Sequence, residues 1–276
     1  MSNVDRASFD YIRALVREKS AIVLEPGKEY LVDARLTPLA RRHGLESIAA
    51  LVAKMRQPSA NGLHREVVEA MTTNETSFFR DAHPFDALRT TILPELVRRR
   101  SVTRTLQIWS AASSSGQEIY TIAMTLRDHF PTTRGWTLGL HATDLSDEMV
   151  QRTREGCYSA LEINRGMPAP MLVKHFDKAG LSWQAKPELR AMISARAMNL
   201  IEPWPRLPRM DVIMLRNVLI YFDVETKRRI LQRVRETLQP DGYLFLGAAE
   251  TTFNIDPAFE REQVGRASVY RLGRAA

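Results

Sequence analysis

The sequence predicts an all-α segment to about residue 72, followed by an α/β domain built on a parallel sheet. Three observations carry this. Up to residue 72 the apolar residues recur at helical spacing. Beyond it, short apolar runs alternate with amphipathic helical stretches, the pattern of βαβ units. Within that part, LQIWSAASSSGQEIY (Leu106 to Tyr120) passes from an apolar run through a loop of small residues directly into a helix start. A doubly wound sheet binds ligands at such a place, beyond the carboxyl ends of its strands.

In the first segment, Phe9, Ile12, Leu15 and Val16 fall on one helical face of ASFDYIRALVREKS, and Ile48, Leu51, Val52 and Met55 do so in LESIAALVAKM. NGLHREVVEAM reads as a further helix opened by Asn61. KEYLVDARLTPLARRHG is ambiguous because Pro38 lacks the N–H a helix interior needs. Either Thr37 caps a new helix with Pro38 at its first position and Gly44 ends it, or one helix runs through with a kink.

In the second part, LQIWSAA, TLGLHATD, ARAMNLI, MDVIMLRNVLIYF and GYLFLGAAE read as strands. EIYTIAMTLRDHF, SDEMVQRTREG and ETKRRILQRVRETL read as helices, the last with a solvated charged face. Residues 157–195 fit the alternation poorly and read as an inserted segment.

Composition narrows the function classes. The net charge of +7 favours an anionic partner. The single cysteine, Cys157, excludes an intrachain disulfide and a Cys-rich zinc site, and none of the six histidines has zinc-ligand spacing. No metal is expected. No run approaches the roughly 18 apolar residues of a membrane span, and the first twenty residues lack a signal-peptide core. A cytoplasmic location is expected.

Candidate ligand-binding residues cluster at strand ends. Between Ser110 and Gly116 the only glycine is Gly116, so the loop does not match the G-x-G-x-x-G of a pyrophosphate cradle. Small residues followed by the acid Glu118 fit a ligand without phosphates, such as S-adenosylmethionine (SAM); an ordinary βα turn is the alternative. Asp144 closes the second strand, where a carboxylate accepts from both ribose hydroxyls of an adenosine. Ser146 is available to cap the next helix, which leaves Asp144 free for a ligand. Arg216 and Asn217 stand at the end of the MDVIML run, with Tyr221 just beyond, although Asn217 could merely tie its loop. In TTNETSFFRDAHPF, Asn74 and Thr76 read as helix caps, Phe78 and Phe79 as an apolar wall, and Arg80 as a donor fork for a carboxylate such as that of SAM. A linker helix with a solvated arginine is the alternative there.

Together MTTNETSFFRD, IWSAASSSGQEIYTIAM, HATDLS, MNLIE and LRNVLIYF closely resemble the CheR-type chemoreceptor methyltransferases of bacterial chemotaxis, over nearly the whole chain. The resemblance implies a Rossmann-like SAM-dependent methyltransferase domain carrying a small inserted β-subdomain at about 175–198, within 73–276, preceded by an all-α receptor-docking domain over 1–72. It implies methyl transfer from SAM, leaving S-adenosylhomocysteine (SAH), to glutamate side chains of methyl-accepting chemotaxis receptors. Cofactor contacts would fall on Asn74, Thr76, Arg80, Glu118, Asp144, Asn199, Leu200, Arg216 and Asn217. Arg80 and Tyr221 would lie near the transferred methyl, and Arg35, Arg41 and Arg42 would dock on acidic receptor helices. A monomer recruited to membrane-bound receptor arrays is expected, with no nucleic-acid partner. Two departures stand out: Ile119 occupies a place where many members have proline, and Pro38 lies inside the docking segment. The loop between Phe176 and Glu188 is short, which disfavours recognition of a receptor C-terminal pentapeptide. A nucleic-acid methyltransferase and a non-catalytic SAM-binding adaptor are the rival readings. RNVLIYF lacks the prolines of an Asn/Asp-Pro-Pro-aromatic loop, which weighs against the first.

Overall fold

Asp5 opens the first helix. Its side chain accepts from the Ser8 backbone N–H at 2.9 Å, filling one of the donors a helix start leaves unpaired. A computed structural model describes residues 4–57 and 60–273. The chain divides into two units, one running to residue 73 and including 221–226, the other formed by 74–220 and 227 onward.

The first unit holds α1 (Arg6–Ser20), α2 (Glu29–Arg42), α3 (Ile48–Met55) and α4 (Asn61–Met71). The periodic residues Phe9, Ile12, Leu15, Val16, Ile48, Leu51, Val52 and Met55 are all buried. α2 is a single helix with Pro38 inside it, which decides the ambiguity in favour of continuity. Thr37 therefore does not cap; its hydroxyl donates to Asp33 Oδ1 one turn back, at 2.9 Å. Pro38 lies on the exposed face, while Val32, Leu36, Leu39 and Ala40 keep the other face buried, so packing offsets the missing helical bond. Arg35 points its fork at the end of α4. Nη1 donates to the Met71 and Thr72 carbonyls at 2.6 and 2.9 Å, and Nη2 to Thr73 Oγ1 at 2.9 Å. The two carbonyls are acceptors that a helix C-terminus leaves unpaired.

The second unit begins with α5 (His83–Ala87), which continues through a π-helical turn at Leu88–Ile92 into α6 (Leu93–Arg99). Then follow β1 (Thr105–Ala111), α7 (Gln117–His129), β2 (Thr137–Asp144), α8 (Asp147–Glu155), β3 (Cys157–Ser159), α9 (Ala160–Asn164), α10 (Ala169–His175), β4 (Phe176–Ala179), β5 (Ser182–Ala185), α11 (Pro187–Arg190) and β6 (Ile193–Ala197). The chain closes with β7 (Met210–Leu215), α12 (Val224–Thr237), β8 (Leu238–Leu246), β9 (Phe259–Val264) and β10 (Ala267–Leu272). Among the described residues the main sheet runs β6-β2-β1-β7-β8-β10-β9. Its first five strands are parallel, and β10 and β9 form an antiparallel hairpin at one edge. Every residue of β7 is buried, as expected of a central parallel strand covered on both faces.

Two boundaries differ from expectation. The small antiparallel sheet, ordered β3-β5-β4, spans Cys157–Ala185 and not 175–198. Ile193–Ala197 pairs in parallel with β2, from Leu140↔Ile193 to Asp144↔Ala197, and so forms the far edge of the main sheet. The hairpin β9–β10 had no counterpart in the sequence reading, because the four central residues of FEREQV are exposed and show no alternation.

Candidate functional site

The loop between β1 and α7 departs from ordinary backbone geometry. Ala112 and Ser114 hold φ of 54° and 51°, and Gly116 holds φ of 92°. A Cβ at Gly116 would also sit 2.8 Å from the Thr153 side chain, so this glycine is required by both conformation and space. Neighbours brace the loop. Trp109 Nε1 donates to Thr143 Oγ1 at 2.9 Å, and the Tyr158 hydroxyl donates to the Ser115 carbonyl at 2.8 Å. Burial pushes the Tyr158 phenol well above its ordinary pKa, so it stays a fixed neutral donor.

Asp144 lies beneath this loop and is not free, contrary to expectation. Oδ2 accepts from the Ser114 N–H at 2.8 Å and Oδ1 from the Ser146 N–H at 3.0 Å. Ser146 caps α8 as predicted, accepting from the Met149 N–H.

A second cluster connects the ends of β1 and β7 with the segment before α5. Glu118 accepts from Ser110 Oγ at 2.8 Å and from Arg216 Nη1 at 2.9 Å. Arg216 Nη2 donates to Asp81 Oδ2 at 2.6 Å and to the Arg80 carbonyl at 3.0 Å. The Arg216 guanidinium lies 5.5 Å from the Phe85 ring centroid, and its side chain is 2% exposed. Among the described residues its Nε–H has no acceptor. Arg80 itself is half-buried and donates from Nη1 to the Glu75 carbonyl at 2.8 Å. Phe79, Asp81 and Ala82 hold φ of 51°, 67° and 42°.

Residues 73–77 carry no helix, and the next helix starts at His83. Asn74 and Thr76 are therefore not caps; the Asn74 carbonyl instead accepts from Ser114 Oγ at 2.7 Å, which fixes it beside the β1–α7 loop. Phe78 is core, with edge-on contacts to Tyr158 and Phe176 at 5.0 and 5.8 Å, so only the half-buried Phe79 remains as a candidate wall.

Asn217 follows β7 with φ of 59°. Glu250, which the sequence places only at the end of the GYLFLGAAE run, holds this turn. Its Oε2 accepts from the Asn217 and Gly247 N–H groups at 2.8 and 2.6 Å, and its Oε1 from the Ile220 N–H at 3.3 Å. Asn217 thus ties its loop through its backbone, while its side chain lies beside Gly247, where a Cβ would sit 2.7 Å from Nδ2. Asn199 folds onto its own turn, with Nδ2 near Glu202 Oε1 and Oδ1 accepting from the Ile201 N–H. The Leu200 side chain is buried and its carbonyl accepts from Trp204 Nε1 at 3.1 Å.

Tyr221 and the three arginines expected to dock, Arg35, Arg41 and Arg42, belong to the helical unit. The Tyr221 carbonyl accepts from the Val23 N–H at 3.0 Å. Arg35 is half-buried with its fork on the end of α4, whereas Arg41 and Arg42 are exposed. Asp81 and Glu250 were the residues missed. Asp81 stands beside Arg80 in FFRD, but its role depends on a partner 135 positions away.

The donor set fits a SAM-like ligand. A loop of small residues at the carboxyl rim of the sheet, and positive φ concentrated in that loop, before α5 and at Asn217, are features of a ligand site. Among the described residues no group of three or more His, Cys, Asp or Glu side chains is arranged to hold a metal, and no helix is long and apolar enough to cross a membrane.

Comparison with known proteins agrees with this chemistry. The family described as "CheR methyltransferase, SAM binding domain" matches residues 74–267, and "CheR methyltransferase, all-alpha domain" matches 7–72. The chain is 40% identical to Chemotaxis protein methyltransferase 1 of Pseudomonas aeruginosa, covering 96% of this chain and 97% of that one. It is 38% identical to Chemotaxis protein methyltransferase Cher2 of Pseudomonas putida, covering 95% and 97%. With Chemotaxis protein methyltransferase 1 of Vibrio cholerae it shares 36% identity, covering 97% of each. With both family descriptions matched and these relatives aligned almost end to end, the chain belongs to the CheR methyltransferase family.

Proposed function

We propose that this protein transfers the methyl group of SAM to glutamate side chains on the acidic cytoplasmic helices of chemoreceptors, forming methyl esters. The observation that carries the reading is the buried Arg216, which joins Glu118 to the backbone of Arg80 at the carboxyl rim of the sheet. An acceptor glutamate, with an ordinary pKa near 4.3, is already ionised at neutral pH. When bound, SAM supplies a methyl group on a sulfonium, an activated leaving group. No general base is needed, and the protein's task is alignment and exclusion of water.

Within that scheme Asp144 faces the ribose, and Glu118 and Arg216 fix the loops around the cofactor. Arg80 anchors the cofactor carboxylate more than it grips the acceptor, because a firm hold on the acceptor carboxylate would stabilise the ground state and slow transfer. Tyr221 orients the acceptor, and Tyr221→Phe tests that role. Arg41 and Arg42 dock on receptor helices, with the protein acting as a cytoplasmic monomer drawn to receptor arrays and with no nucleic-acid partner. The test supplies methyl-labelled SAM with a chemoreceptor cytoplasmic fragment and, separately, with RNA. Base-labile label on the fragment, released as methanol, supports carboxyl methylation; label on RNA, or on neither, contradicts it.

A further inference from the structure

A groove of about 400 Å³ opens beside Asp81 in the second unit. Its inner wall carries Asp81, Gly247 and Glu250, and its outer wall carries Arg261, Arg266 and Ser268, from β9, the hairpin turn and β10. The two walls differ in electrostatic state. Asp81 is ion-paired with Arg216 at 2.6 Å, and Glu250 is filled by three backbone N–H groups. The inner acids are therefore occupied from within the protein.

The outer cations are not. Arg261 donates from Nη2 and Nε to Ser268 Oγ, at 2.6 and 3.1 Å, a neutral acceptor. Among the described residues neither Arg261 nor Arg266 has an ion-pair partner, and both are exposed. Their acidic neighbours on β9, Glu260 and Glu262, are one residue to either side of Arg261 and so lie on the opposite face of the strand. Glu262 is paired there with Arg271 at 3.6 Å. The groove therefore presents two uncompensated guanidinium groups on its outer lip, and it shares Asp81 with the cluster that holds Arg80.

We infer that this groove is a docking subsite for carboxylates on the methyl-accepting receptor helix, close to the glutamate being modified, with Arg261 and Arg266 as its specificity-determining cations. The inference rests on the glutamate-methylating reading above. A receptor helix is the one occupant that brings several carboxylates to the rim where the cofactor residues converge, and arginine forks match them.

The experiment compares full-length wild type with Arg261→Glu/Arg266→Glu, and with a charge-matched control, Arg98→Glu/Arg134→Glu, on exposed positions of α6 and of the loop before β2. Affinity for a labelled receptor fragment is read by fluorescence anisotropy, and kcat/KM from methanol release. SAH affinity is read by calorimetry. The groove variant is expected to lose about tenfold in fragment affinity and in kcat/KM. Its SAH affinity stays within about twofold of wild type, and the control retains wild-type fragment binding. Arg261→Gln/Arg266→Gln should lose less, in the same direction. Unchanged fragment binding in the groove variant, or equal losses in the control, overturns the subsite. A wild type that never methylates the fragment overturns the underlying reading instead.

Discussion

Arg216 donates to the carbonyl of Arg80 at 3.0 Å, so the carboxyl end of the central strand β7 fixes the backbone of the residue expected to anchor the cofactor. The same guanidinium reaches Glu118 at 2.9 Å and Asp81 at 2.6 Å. One buried cation thus holds together three chain segments that are far apart in sequence.

Replacing Arg216 should cost both stability and binding. Arg216→Ala leaves Glu118, 13% exposed, without its cation, and breaking a buried pair in this way typically costs about 3 kcal/mol. Denaturant unfolding should show that loss, and calorimetry should show SAH affinity weakened at least about tenfold. Arg216→Lys should rescue little, because an ammonium cannot span the same acceptors.

Arg80→Ala separates anchoring from folding. The one described hydrogen bond of its side chain is to the Glu75 carbonyl at 2.8 Å, so unfolding free energy should change by under about 1 kcal/mol. SAH affinity should fall about ten- to hundredfold, the loss of a charged hydrogen bond to a carboxylate. Unaltered SAH affinity would remove Arg80 from the cofactor site.

The arginines of α2 should divide by role. Arg35→Ala deletes three donations onto the end of α4 and should destabilise the protein by about 2 kcal/mol. Arg41→Ala/Arg42→Ala should leave stability within about 0.5 kcal/mol. That variant should instead bind the receptor fragment more weakly and lose part of the salt dependence of binding. Thermal unfolding alongside anisotropy at two ionic strengths distinguishes these outcomes.

Acid stability should depend in part on Asp128. Burial works against its charged form, but hydrogen bonds from Lys174 and His175, at 2.6 and 3.0 Å, outweigh it and hold its pKa below the ordinary carboxylate value. A carboxylate with a depressed folded pKa stabilises above its unfolded pKa, and that contribution is lost as pH falls through the folded pKa. Asp128→Asn should therefore be less stable at neutral pH and should lose less stability than wild type between about pH 5 and pH 2. Parallel acid-unfolding curves for the two proteins would contradict this.

Legibility in the sequence followed the range of the interactions. Local features were readable: the β1–loop–α7 passage, the Ser146 cap, and the periodic core residues of α1 and α3 all depend on near neighbours. Features with distant partners were not. Nothing near Arg35 in sequence shows that the Met71 and Thr72 carbonyls take its donors. Only part of the engagement of Asp144 is long-range: its Ser114 partner lies 30 positions upstream, whereas the Ser146 N–H that binds its other oxygen is two residues on and reads in the sequence only as the start of a capped helix. Glu250 followed an apolar run and gave no sign that it holds Asn217, 33 positions away. The edge strand β9 was hidden by its exposed middle, where composition follows solvent and not the sheet.

Titrating the folded protein with SAH in a calorimeter tests most directly whether the rim of the sheet is a cofactor site. Saturable one-to-one binding is expected, greatly weakened in Arg216→Ala and in Arg80→Ala. Absence of binding heat with both SAH and SAM, from protein shown to be folded by its cooperative thermal transition, would contradict it.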